Sequence, residues 1–526
     1  MPNNVRTAIL ALAAFGVCAH PSLGATLRIG HVKYAYYAYS AFGEVDPLAL
    51  SDCLEGLVTE DARGNAIAGQ AESWDVSPDG LVYTFKLRRD TVWSDGTPVV
   101  AADFLAGFRW LFDPANAVEY AYIHFPIRNA SAIAGGTMPL DDLGVRVKDD
   151  HTLEIELERP TPYFLETLTH ATTYPLPSKR LAALGKDALE PESILCNGPF
   201  VIVEQDGHRA RAVKSETYYA RHTVALDEVT YQHTDHTAKL VEHWNKGELD
   251  VAFNLPMAGT NLIDGEILAQ IEAVPALGVS FYALNLTKPP FDNVVVRRAL
   301  SMAIDRRVMG AQGLNSPTIE AYGLIPNGIS NYEGQAPYRP EWADWPYEER
   351  LARARSDMAE LGYSSAKPLL LELRYAESGS GTHQPIARQV AAMWAQIGVR
   401  VELHGSESDE HFAALRVGDF DVGRFSWIFD YSDPQSVLAL LTEGADYNSG
   451  QYTSSRYNQL LAGASGELNL RKRADMLRSA EKLLLDDVAV IPVSWLINHN
   501  LVSERVTGIE NNAENIHLTR WLSLAP

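Results

Sequence analysis

The chain has 526 residues, of which 46% are hydrophobic and 21% charged, and it carries a formal net charge of −23 at pH 7. Such an acidic excess opposes binding to nucleic acid and to anionic lipid surfaces, and it favours solubility without specifying a fold. The length exceeds what one hydrophobic core organises, so two or three domains are expected.

The first 25 residues read as an export signal rather than as part of the fold. Arg6 precedes an apolar run over residues 8–19, and the small residues Ser22, Gly24 and Ala25 follow it. This is the layout of a secretory signal cleaved between Ala19 and Thr26. The run is too short to span a bilayer, so a soluble, exported mature protein is expected. Cys18 lies near the cleavage zone, but Phe15, Gly16 and Val17 make a poor lipoprotein box, and simple cleavage is the expectation. Cys53 and Cys196 are then the thiols of the exported chain. An oxidising compartment permits a disulfide between them, and sequence alone does not show whether their Cβ atoms meet.

Beyond the signal, Tyr34, Tyr36, Tyr37 and Tyr39 form a strand-compatible run that either lines a groove or packs beneath one. Leu81, Tyr83, Phe85 and Leu87 alternate with polar or smaller residues, as do Leu153, Ile155 and Leu157, which predicts two half-buried strands. Between them Asp95-Gly96 makes a turn, and Phe104, Phe108 and Leu111 recur at helical spacing. Farther on, the segment 369–375 is a β-rich run. Ile386, Val390, Met393 and Ile397 then mark a helix stopped by Gly398, and Val399, Val401 and Leu403 predict the next strand. Strand, helix, strand with short joins is a βαβ unit with parallel strands. Leu351, Ala354, Met358 and Leu361 before Gly362, and Leu470, Ala474, Leu477 and Leu484, predict two more amphipathic helices. The fold class is therefore α/β with mixed sheets.

The segment FSWIFDYSDP, residues 425–434, stands out because the carboxylate Asp430 follows a run too apolar for the surface. Residues 420–425 alternate, with Phe420, Val422 and Phe425 against Asp421 and Arg424, and Ser432, Asp433 and Pro434 end regular structure. A strand running into a turn is expected, with Trp427 and Asp430 at or just past its carboxyl end, where α/β sheets bind ligands. An Asp beside a turn is also an ordinary turn former.

Other constellations ask for less. His233, Asp235, His236 and His243 offer metal-ligand atoms but form no recognisable zinc motif, so a solvated loop is expected, and neither a metal nor another cofactor is called for. SGSGT, residues 378–382, lacks the Lys-Ser/Thr of a phosphate loop, and no GxSxG elbow is present.

Four segments then carry a family likeness: AESW (71–74), FKLRRDTVWSDGTPVVAADF (85–104), NGPF (197–200) and NLTKPPFDNVVVRRALSMAIDR (285–306). Over nearly its whole length beyond the signal the chain resembles the extracytoplasmic solute-binding proteins of peptide-type ABC transporters, most of all those that take oligopeptides. The resemblance implies a two-lobed periplasmic-binding-protein (Venus flytrap) fold with an extra inserted domain. Domain I would comprise 26–54, 180–277 and 498–526, domain II 55–179, and domain III, the opposing lobe, 278–497. It implies a short peptide held extended between the lobes and delivered to permease subunits in the inner membrane by a monomeric, non-enzymatic protein. Asp430 matches the family carboxylate that pairs with the peptide α-ammonium, and the backbone of Ser426, Trp427 and Ile428 would pair with the peptide main chain. Arg424 and His383 match positions that hold the carboxyl end, and Tyr120, Asn254, Trp427 and Trp495 match pocket-lining positions. Departures occur as well. A family lysine is Leu314 here, an aromatic wall of one pocket is Ser408, and the Tyr-rich run replaces a family loop. A murein-derived peptide or another amine-bearing ligand is the alternative guest, and a secreted peptide or cell-wall hydrolase is the alternative class.

Overall fold

The structure is a computed structural model that describes residues 24–32, 41, 45–190, 194–234, 236–255, 265–309, 319–332, 334–377, 383–512 and 514–525. Residues 1–23, the tyrosine run at 34–39, Asp235, Leu314 and the SGSGT segment lie outside the described residues.

A mixed sheet of eleven strands dominates. Its order runs from Val399–Ser406 through Leu369–Ala376, Val422–Ile428, Glu272–Leu284 and Val490–Val502 to Val251–Phe253, Thr26–Val32, Glu228–Thr234, Arg209–Lys214 and Phe200–Gln205, with Ile319–Glu320 paired beside Val490–Val502. Glu272–Leu284 and Val490–Val502, each of 13 residues, pair antiparallel and join the two halves of this sheet. Their register shifts between Pro275 and Val279 and again between Ser280 and Phe281. Bulges of this kind bend and twist a ladder locally.

The βαβ expectation holds. Leu369–Ala376 and Val399–Ser406 pair in parallel along their full length, and the helix His383–Ala395 makes the crossover. Gly398 adopts φ +80°, a conformation glycine takes without penalty, where the connection reverses. The next strand is Val422–Ile428 rather than one starting at Phe420, which is buried just before it.

A separate four-stranded antiparallel sheet has the order Ala71–Val76, Val82–Leu87, Thr152–Glu156, Val145–Asp149. Phe85, Leu153 and Ile155 from its inner face pack with Phe104, Phe108 and Leu111 of the helix Ala101–Phe112, all essentially inaccessible. The 85–104 segment owes its residues to one network. Asp103 accepts from the Trp93 indole (3.0 Å), Val100 N (3.0 Å) and Ser178 N (2.9 Å), tying turn, helix start and the following segment together.

Cys53 and Cys196 form a disulfide. Beside it Asn197 Oδ1 accepts from Glu55 N and its Nδ2 donates to Glu55 O, both at 3.0 Å. A Cβ on Gly198 would lie 2.7 Å from Asp52 O, so the NGPF segment requires glycine there. The AIDR segment ends on Arg306, which is fully buried and donates to the carbonyls of Ala321 (2.9 Å), Pro492 (2.9 Å) and Ser301 (3.0 Å). Carbonyl oxygens thus satisfy a buried cation that makes no ion pair with a described carboxylate. No described helix is long and apolar enough to cross a membrane.

Candidate functional site

The strand Val422–Ile428 is paired along its whole length on one side, from Val422 opposite Leu284 to Ile428 opposite Gly278. On its other side only Val422 and Gly423 have strand partners, Leu373 and Arg374. Phe429 N donates to Leu277 O (2.9 Å), so the backbone groups of odd-numbered residues here face the paired side. His411 Nε2 donates to Arg424 O (2.9 Å) from the opposite side. Backbone groups alternate along a strand, so those of Ser426 and Ile428 face an edge that no described strand covers.

Two residues past this strand stands Asp430, half-buried. Its Oδ1 accepts from the Tyr122 hydroxyl at 2.9 Å, and its amide donates to Ser436 Oγ at 3.1 Å. Burial pushes its carboxyl up to about 6, with the Tyr122 hydrogen bond pulling the other way. Among the described residues no cation lies within ion-pair distance of it. Asp433, three residues on, is its opposite. It is fully buried, makes two bonds to the Arg473 guanidinium at 2.7 and 2.8 Å, and accepts from Asn331 Nδ2 (3.1 Å) and Gln435 N (2.8 Å). Asp433 fixes the turn, and Asp430 hangs from it unpaired.

The turn faces residues of the four-stranded body. Tyr431 stacks on Tyr163, with ring centres 4.7 Å apart and planes 4° from parallel. Asn331 Nδ2 donates to Glu166 Oε1 (3.1 Å), a carboxyl that burial pushes up to about 7. Tyr122, on the 3-10 turn Glu119–His124, sits 5.6 Å ring to ring from Tyr120, which stacks on His170. The structure therefore brings Tyr120 within one ring of the Asp430 carboxylate, while Tyr122, unremarked in the sequence, makes the contact. The repeat Tyr120-Ala121-Tyr122 was the available signal.

Arg424 and His383 are also brought together. Arg424 Nη1 donates to His383 Nε2 (3.0 Å), and His383 Nδ1 donates to Ala376 O (2.7 Å). Burial and the adjacent guanidinium push His383 down to about 4, so the ring is a neutral acceptor at neutral pH. Burial also lowers the pKa of Arg424, with the Tyr282 hydroxyl acting in the other direction. No described carboxylate lies within ion-pair distance of Arg424, and Tyr282, opposite it in register, has a buried hydroxyl without a hydrogen-bond partner among the described residues. A half-buried guanidinium of this kind is stabilised by an anion that reaches it.

Alongside the open edge lies a cavity of about 480 Å³ lined by Asp409, Phe412, Arg416, Phe425, Ser426, Trp427 and Tyr447. Trp427 and Tyr447 are 5.0 Å apart, Phe412 meets Phe425 edge-on at 5.6 Å, and the Trp427 indole N–H is buried without a partner among the described residues. Ser408 opens the helix Ser408–Arg416, and Phe412, one turn on, supplies an aromatic wall. Phe412 and Tyr447 were not anticipated, because their side chains join the site only through the fold. Trp495 pairs through its backbone with both Val279 and Ile319 beside the register shift of the crossing strands. Asn254 follows the strand Val251–Phe253. Its Oδ1 accepts from Asn515 Nδ2 (2.7 Å) and its amide donates to Asn500 Oδ1 (3.1 Å), in an amide network.

Comparison with known proteins gives a consistent answer. Residues 65–449 match the family "Bacterial extracellular solute-binding proteins, family 5 Middle". The periplasmic oligopeptide-binding protein OppA of Escherichia coli K12 is 33% identical over 462 residues, 87% of this chain and 84% of that protein. The unliganded open form of the periplasmic murein tripeptide-binding protein MppA superimposes with a TM-score of 0.86 at 30% identity, covering 96% of this chain and 98% of that one. OppA of Haemophilus influenzae in complex with the peptide RPPGFSPFR gives 0.69 at 27% identity, covering 96% and 99%. The fold is thus the two-lobed fold of these periplasmic binding proteins, and the chain belongs to the bacterial extracellular solute-binding proteins, family 5.

Proposed function

We propose that this protein captures short peptides in the periplasm and hands them to an ABC importer, holding each one extended between its lobes. The observation that carries this reading is Asp430, a carboxylate whose pKa is raised by burial, without a cation among the described residues, at the end of a strand whose outer edge no described strand covers. An α-ammonium neutralises Asp430, the peptide main chain extends the sheet along Ser426, Trp427 and Ile428, and the terminal carboxylate meets Arg424 beside His383. Main-chain pairing gives affinity without reading side chains, and the aromatic cavity accommodates side chains of varied shape.

The division into domain I (26–54, 180–277, 498–526), domain II (55–179) and domain III (278–497) belongs to the same proposal. The hydrophobic cores support the separation of domain III, since two of them gather residues only between 277 and 493. Another core gathers residues from 45 to 196 and so joins domain II to the flanking parts of domain I. The paired crossing strands Glu272–Leu284 and Val490–Val502 are then the hinge, and closure about such strands is the usual ligand-linked motion of two-lobed proteins. Overlay on an unliganded open form supports an arrangement ready to receive a guest. That overlay, on a murein tripeptide-binding protein, also supports a murein-derived peptide as the guest. The protein would act as a monomer, exported through its amino-terminal signal, with the permease as partner and no nucleic acid.

Incubating the purified protein with a mixed peptide pool, together with murein tripeptide, and identifying what is retained by mass spectrometry tests the reading. Recovery of intact peptides with free amino termini is the expected result. Shortened products would identify a hydrolase and end it, and retention of murein tripeptide alone would narrow the guest to that class.

A further inference from the structure

A second group of ligand-type side chains lies at the other end of the large sheet, away from Asp430. Thr26–Val32 and Glu228–Thr234 pair in parallel with His31 directly opposite His233, so both imidazoles leave one face of the sheet at the carboxyl ends of adjacent strands. Their ring centres are 5.8 Å apart. Asp46, the N-cap of the helix Pro47–Cys53, completes the group, its Oδ2 lying 2.8 Å from His31 Nε2 and 3.6 Å from His233 Nδ1. One ligand atom from each of the three residues lies within 4.8 Å of the others. His31 and Asp46 are 3% and 7% exposed.

This arrangement corrects the expectation of a solvated loop around His233. His233 lies within a strand, and its neighbours in the cluster come from residues 31 and 46 rather than from the adjacent sequence. His243 is engaged separately, with its ring nitrogens at Gln232 (2.8 Å) and Glu248 (2.5 Å).

We propose that His31, Asp46 and His233 form a zinc site. In a tetrahedral zinc site with bonds of about 2.0–2.1 Å, neighbouring ligand atoms stand about 3.3 Å apart, and the separations of 2.8 and 3.6 Å from Asp46 Oδ2 straddle that value. Both supporting groups are held from behind, as ligands of a metal are. Asp46 Oδ1 accepts from Leu48 N (3.0 Å) and Ala49 N (3.2 Å), which aims Oδ2 at the two rings. His31 Nδ1 stands 3.3 Å from Val32 O, and a proton on Nδ1 turns the Nε2 lone pair toward Asp46. A carboxylate oxygen and an imidazole nitrogen at that separation share a cation, a proton on Nε2 in the metal-free protein or a metal ion that displaces it when bound. Two imidazoles and one carboxylate are the donor types that zinc accepts, and three protein ligands leave a fourth position for water. The ion would clip two strand ends to the start of a helix, one strand away from Val251–Phe253, where His31 pairs with Phe253.

The test uses the full chain without a polyhistidine tag, stripped with EDTA and titrated with Zn²⁺ alone by calorimetry. One-to-one saturable binding is expected, with a rise in the thermal unfolding midpoint that grows with zinc concentration. His31→Gln and His233→Gln should each weaken binding by more than about tenfold, since even groups behind the ligands carry that much, and the zinc-dependent rise above each variant's own midpoint in EDTA should shrink accordingly. Wild-type crystals soaked in Zn²⁺ give an independent readout, an anomalous peak bounded by the three named atoms. No saturable binding, wild-type affinity in both variants, or a peak elsewhere overturns the site.

Discussion

Replacing Asp430 by Asn tests the ammonium anchor most directly, because it removes the charge and nearly preserves the shape. Breaking one side of a buried ion pair costs about 3–5 kcal/mol, and each 1.4 kcal/mol is about tenfold in Kd. Asp430 is half-buried and keeps its bond to Tyr122, so the low end applies, roughly a hundredfold weaker binding of a tripeptide such as Ala-Ala-Ala. The pH profile gives a second, independent signature. In the free protein the Asp430 carboxyl lies at about 6. A peptide ammonium favours the ionised form and lowers that value, so binding below pH 6 must release a proton and weakens as the pH falls. Between pH 7 and pH 5 the ionised fraction drops from about nine-tenths to about one-tenth, which predicts about tenfold weaker binding in the wild type. The α-ammonium, with a pKa near 8, stays protonated throughout. Calorimetry at pH 7, 6 and 5 on both proteins reads out both effects. An Asp430→Asn protein that binds within about threefold of the wild type, or a wild-type profile as flat as that of the variant, refutes the anchor.

Three further outcomes are expected. Amidating the peptide carboxyl terminus should weaken binding by about 1.5–3 kcal/mol, the range for a charged hydrogen bond, and Arg424→Met should weaken the free acid but not the amide, which a double-mutant cycle by calorimetry checks. Asp433→Asn should lower unfolding stability in urea by about 3–5 kcal/mol, because it leaves the Arg473 guanidinium buried without its partner, whereas Asp430→Asn should leave stability unreduced. Replacing both Cys53 and Cys196 by Ser should lower stability by up to about 5 kcal/mol in the chain-entropy model, given their sequence separation of 143, as read by denaturant unfolding.

Local pattern made much of the fold legible. The alternation of Tyr83, Phe85 and Leu87, the helical spacing of Phe104, Phe108 and Leu111, and the strand–helix–strand rhythm from 369 to 403 each record which face of an element meets a core, and that period is written in adjacent residues. The segments 85–104 and 197–200 were legible as likenesses, and the structure supplies their physics in the Asp103 network and in the lack of space for a Cβ at Gly198. Elements closed by distant residues were not legible. The zinc-type cluster pairs His233 with residues 31 and 46, and the contact to Asp430 comes from Tyr122, 308 positions earlier in the chain. No window of sequence holds both partners.

The turn 430–433 shows the same boundary at its sharpest. Two aspartates three residues apart share one local signature, acidic residues where a strand gives way to a turn, and turn chemistry alone assigns them one bland role. What separates them lies elsewhere in the fold. The helix Leu470–Asp486 delivers Arg473 to Asp433, and both side chains disappear from solvent as a closed pair. To the Asp430 carboxylate the described residues deliver only the neutral hydroxyl of Tyr122, from the body that holds the four-stranded sheet. A carboxylate so placed is destabilised at neutral pH by its own burial, and a cation from outside relieves that cost as it binds. The rigid aspartate therefore holds the unsatisfied one at the end of an open strand edge, and under the proposed function affinity arises because the ligand, not the protein, completes the pair.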